Sequence, residues 1–123
     1  RNPNLMVWHR KLYLIDHGAA LYFHHDWENA GEACGKPFVL IKDHVLLPFA
    51  SRIADADAAL APLLTDAVID GIVAQIPDSW LQTEPSFTDA AAYRSAYASY
   101  LKRRLQLREA FVQEAIRAHA AYL

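Results

Sequence analysis

The chain opens with Arg1-Asn2-Pro3-Asn4-Leu5-Met6-Val7-Trp8-His9-Arg10-Lys11-Leu12-Tyr13-Leu14-Ile15-Asp16-His17-Gly18, and this stretch decides the fold. Leu5-Met6-Val7-Trp8 and Leu12-Tyr13-Leu14-Ile15 are short apolar runs separated by His9-Arg10-Lys11, a pattern that predicts an antiparallel β-hairpin over 5–15. The turn contains neither Gly nor Asn, the residues that hairpin turns favour. A hairpin sets its two outer ends side by side, so Asn2 or Asn4 on the way in comes near Asp16 on the way out. An amide oxygen and a carboxylate at the end of a rigid hairpin are donors of the kind a hard cation such as Mg²⁺ takes while keeping part of its water shell. A plainer role for an Asp before Gly is to cap backbone N–H groups in a turn.

Protein kinases hold Mg²⁺ at the phosphates with an Asn and with the Asp of an Asp-x-Gly segment. Arg1-Asn2-Pro3-Asn4, then Trp8-His9, then Leu14-Ile15-Asp16-His17-Gly18-Ala19-Ala20-Leu21-Tyr22-Phe23-His24-His25 resembles the signature of the bacterial HipA-like kinase domain family. Ile41-Lys42-Asp43-His44-Val45-Leu46-Leu47-Pro48 extends the resemblance over roughly the first 50 residues. It implies a kinase-like C-lobe with Asn2 and Asp16 as metal ligands, Mg²⁺ and ATP as cofactors, and an unidentified phospho-acceptor. In the family an Asp-Arg-Thr stretch carrying the catalytic base lies shortly upstream. This chain starts at Arg1 without it, which implies a C-terminal fragment that holds no catalytic base and is inactive alone. His17 departs from the family of kinases at large, where Phe usually stands between the metal Asp and the Gly. Residues 19–51 fall where an activation segment would lie.

With 123 residues the chain suits one domain, 1–123, and is short for a two-lobed kinase. A hydrophobic fraction of 54%, swollen by Ala, and a charged fraction of 21% are those of a globular protein. No apolar run approaches the ~18 residues of a membrane span. A net charge of -2 supplies no general attraction to nucleic acid or to an anionic membrane, so neither is expected as a partner. The single Cys excludes an internal disulfide and fits the cytoplasm.

Beyond the hairpin the expected class is α+β, mostly α. Residues 28–36, with Gly31 and Gly35, suggest a surface loop, and Asp43 a cap of a short helix ending near Pro48. From Asp55 the chain turns helical and Ala-rich. Thr65 is expected to cap a helix over 66–76, with Val68, Ile69, Ile72, Val73 and Ile76 as one buried stripe. Thr88 is expected to cap a long helix from Asp89, its Tyr93, Tyr97, Leu101 and Leu105 on one face, with a drift of the stripe at 107–110 that leaves one helix or two open.

Two other functional readings compete. His17, His24, His25 and His44, with Asp26, invite a transition-metal site and a hydrolase, though the spacing matches no zinc motif. A non-enzymatic helical module that binds a partner is the other. Cys34, placed in a loop without a base, makes a poor nucleophile. Arg94, Lys102, Arg103, Arg104 and Arg108 form a basic patch that reads as a solvated helix face. Self-association is expected, because the helices can cover only one side of the apolar hairpin.

Overall fold

The computed structural model describes residues 4–17, 21–82 and 84–122. β1 (Leu5–Trp8) and β2 (Lys11–Leu14) pair antiparallel in the register Leu5 with Leu14, Met6 with Tyr13, Val7 with Leu12 and Trp8 with Lys11. The expected hairpin forms, and its connection is two residues long. His9 and Arg10 have φ of 48° and 63°, a pair of left-handed residues whose twist matches the strands. A side chain in this region costs about 1–2 kcal/mol, so it is the two apolar runs, not the turn residues, that set the register. The ladder extends one step further, with the Ile15 N–H donating to the Asn4 carbonyl at 2.9 Å.

From the hairpin to residue 52 the described chain is built from single turns: 3-10 turns at Phe23–His25, Val39–Asp43 and Leu47–Phe49, and the four-residue helix α1 (Ala30–Ala33). The loop expected over 28–36 is thus corrected: α1 buries Ala30 and Cys34, because its small side chains let it lie close to the later helices. Asp43 ends a turn and does not cap a helix. The local cap comes from His44, whose Nδ1 accepts the Leu46 N–H at 3.2 Å.

The rest is helical, and no strand follows the hairpin among the described residues. α2 (Ile53–Leu60) runs into a 3-10 turn, Ala61–Leu63, that accommodates Pro62. Thr65 caps α3 (Asp66–Val73) as expected, its hydroxyl accepting the Val68 N–H. The stripe on α3 is narrower than expected: Ile69 and Val73 are buried while Val68 and Ile72 stay exposed, since α3 packs chiefly against one helix, α4 (Ala90–Gln106). The cap of α4 is Asp89, not Thr88, with its carboxylate accepting the Ala92 N–H at 2.8 Å. α5 (Glu109–Ala120) follows a break at Leu107-Arg108, so 89–122 is two helices. At the break the Arg108 N–H bonds the Leu105 carbonyl at 3.2 Å, and the Arg108 guanidinium holds Asp57 of α2 at 2.9 Å. No helix of the described residues is long and apolar enough to cross a membrane.

An aromatic cluster joins the irregular segment to α4. Phe23 stacks on Tyr100 at 3.4 Å between ring centroids, and Tyr93 stacks against both Phe87 and Tyr97. Trp27 meets Phe87, Tyr93 and Tyr97 edge-on, an arrangement that suits the ring quadrupoles. Its indole N–H is buried and finds no hydrogen-bond acceptor among the described residues. Replacing the turn by the residues its geometry favours, His9→Asn with Arg10→Gly, should stabilise the hairpin by about 1 kcal/mol. Hydrogen exchange at the Met6 and Tyr13 amides reads this out as roughly fivefold slower exchange, and unchanged or faster exchange would contradict the assigned turn.

Candidate functional site

The register of the hairpin carries Asn4 and Asp16 to its open end. The Asn4 side-chain amide donates to the main-chain carbonyl of Asp16, and Asp16 itself is left-handed, with φ of 50°. Asp tolerates this region better than most residues do. Asn4 therefore clamps the base of the hairpin, and the contact runs to the Asp16 backbone, not to its carboxylate. That carboxylate is exposed and makes no hydrogen bond or ion pair with a described residue. Asn2 and Gly18 lie outside the described residues. An uncommitted carboxylate at a backbone fixed from two sides is a fitting donor for Mg²⁺, which needs oxygen ligands held in place.

The base of the hairpin opens onto a cavity of about 870 Å³. Asn4 lies at its edge, and Phe23, Phe38, Tyr100, Arg104 and Phe111 are among its walls. Beside it the Asn29 amide donates to both Asp26 oxygens, at 3.0 and 2.9 Å, a pair that sequence reasoning did not single out.

The histidines do not gather. Among the described residues no three His, Cys, Asp or Glu side chains converge on a point where a metal could sit. His24 and His25 stand ring to ring at 4.1 Å. Burial, and then the proximity of His25, pushes the His24 pKa down. His44 is engaged in its own turn through Nδ1, and His9 meets Trp8 edge-on.

The basic patch is taken apart into clamps. Lys102 holds Asp70 at 2.7 Å, Arg108 holds Asp57, and Arg94 reaches Asp78 and, at 2.6 Å, the Ile76 carbonyl. Arg104 donates to the carbonyls of Cys34 at 2.8 Å and Lys36 at 2.6 Å while its guanidinium lies over the Phe111 ring at 4.4 Å. The expected solvated face is thus corrected for these four residues: the ion pairs of Arg94, Lys102 and Arg108 and the carbonyl hydrogen bonds of Arg104 join separate elements. The signal in the sequence is weak, since nothing local to Arg104 marks the backbone carbonyls of Ala33, Cys34 and Lys36, some seventy residues away, as its partners.

Cys34 is the most deeply buried side chain described, 1% exposed, and lies at the end of α1, not in a loop. Its Sγ lies 3.4 Å from the Ala30 carbonyl and 3.7 Å from the Tyr100 carbonyl. Burial pushes the thiol pKa up, against the pull of Arg103 and Arg104, which is the wrong direction for a nucleophile. No protein-family model, curated protein or solved structure matches the chain.

Burial also raises Tyr97 and Tyr100. Groups whose pKa is higher folded than unfolded stabilise fully below the unfolded value, and that contribution is lost as pH rises past it. Stability should therefore hold through neutral pH and fall above about pH 8.5, the ordinary thiol range. Urea midpoints at successive alkaline pH values test this, and a midpoint that climbs there would contradict the burial of these groups.

Proposed function

We propose that the chain is the C-terminal lobe of a bacterial, cytoplasmic HipA-like kinase, an ATP- and Mg²⁺-dependent phosphotransferase. The observation that carries this reading is the hairpin base, where Asn4 fixes the backbone at Asp16 and leaves the carboxylate exposed. It is supported by the resemblance of Asn2-Pro3-Asn4 and Ile15-Asp16-His17-Gly18 to the family signature. Asp16 and Asn2 would hold Mg²⁺, which in such enzymes bridges the nucleotide phosphates and neutralises charge that develops as the phosphoryl group moves. The work of the chain itself is positional. The left-handed turn at Asp16 and the Asn4 clamp keep the ligand at a fixed place relative to the cavity, and positioning supplies much of phosphoryl-transfer catalysis.

A second reading, a helical module that binds a partner without chemistry, draws on the exposed apolar side chains of the hairpin. The gene sequence upstream of Arg1 separates the two, because an Asp-Arg-Thr stretch there supplies the base that the first reading needs. Protein extended through that stretch should consume ATP with Mg²⁺, and Asp16→Ala should lower the rate by about 100-fold or more. The chain of 1–123 alone should show none. Full activity in Asp16→Ala would overturn the metal-ligand role, and an upstream sequence without the acid would favour the module.

A further inference from the structure

The hairpin is exposed on both faces. Leu5, Val7, Leu12 and Leu14 share one face by their register, and Met6, Trp8 and Tyr13 share the other with Lys11. Val7 is 65%, Trp8 59% and Leu14 68% exposed, and neither strand packs extensively on a helix. A lone two-stranded hairpin is marginal in water, and more strands or a covering helix are needed to hold one. Its sheet has two strands only, so both edges are open among the described residues.

We propose that β2 is an interface for a second copy of this chain, pairing antiparallel with itself to make a four-stranded sheet. Next to a two-residue turn, Trp8 and Lys11 exchange both backbone hydrogen bonds, and successive pairs alternate. The N–H and C=O groups of Leu12 and Leu14 therefore point away from β1. A two-fold axis through Tyr13 sets Leu12 against Leu14 of the partner subunit, so that all four outward groups on each β2 find partners. The same axis reverses the second hairpin. Arg10 and Lys11, which make no ion pair with a described residue, draw level with Ile15 and Asp16 of the partner subunit. Cationic tip and anionic base are thus complementary to themselves under this axis and under no parallel arrangement. The pairing does not need phosphotransfer, but it uses Asp16, the proposed metal ligand, so EDTA in the buffer keeps Mg²⁺ from competing with the cationic tip for that carboxylate.

Sedimentation of the 1–123 chain tests it with two matched substitutions. Leu12→Pro removes an outward N–H from β2, and Val7→Pro does the same on β1; Pro is tolerated at sheet edges. The unaltered chain should be mainly dimeric at roughly 100 µM and dissociate as salt rises. Leu12→Pro should weaken the dimer by at least about tenfold and Val7→Pro by about threefold or less. A monomeric unaltered chain, equal losses in the two variants, a greater loss in Val7→Pro, or a dimer that survives Leu12→Pro would each overturn the proposal.

Discussion

The stack of Phe23 on Tyr100 is the contact on which the joining of the irregular segment to the helices depends. Everything described between the hairpin and α2 consists of single turns, and a helix of one turn has no stability of its own in water. The first part of this segment is laid along α4, by Phe23 and Trp27 at one end and by Cys34 and the Arg104 clamp at the other, and its second part, the turns Val39–Asp43 and Leu47–Phe49, packs against α5. The clamp works because carbonyls at the end of a short helix have no partner within it, and a guanidinium offers several donors in one plane. Its charge is sheltered on the other side by the Phe111 ring, which ties α5 to the same point.

That dependence explains which parts of the fold were legible in the sequence. The hairpin was, because four-residue apolar runs on either side of a short polar connection have few other uses. Thr65 was legible as a cap, because its hydroxyl acts within three residues of itself. The stripe on α3 was only half legible: periodicity shows which residues share a face but not how wide a neighbour will cover it. The helix within 28–36 was not legible, and the end of α4 at Leu107 showed only as a drift of the stripe that left one helix or two open, since both are decided by distant partners. Cys34 packs under Tyr100, and Arg108 is held by Asp57. Gly31 and Gly35 read as loop residues because local propensity points that way, and tertiary packing overrides it.

The candidate site divides along the same line. Proximity of an Asn on the way in to Asp16 on the way out follows from hairpin topology and could be read in advance. Which group of Asp16 the amide would take could not, because that depends on the left-handed backbone at the hairpin exit. By binding the carbonyl, Asn4 holds the residue while leaving its carboxylate without an ion pair among the described residues, and an anion at a fixed position attracts a cation. The histidines show the converse. Their number in the sequence suggested a metal, yet His24 and His25 face one another and His44 is drawn into its own turn, and residue type alone does not bring ligands to a common point.

We propose Asp16 at the hairpin base as the place where a divalent cation binds. Paramagnetic broadening of backbone amide signals by Mn²⁺, standing in for Mg²⁺, measures it directly on the chain diluted below the concentration at which it pairs. The account predicts broadening centred on Asp16 and its immediate neighbours at the open end of the hairpin, reversed by excess Mg²⁺ and lost in Asp16→Asn. Broadening centred on His24 and His25, or none that Mg²⁺ reverses, would contradict it.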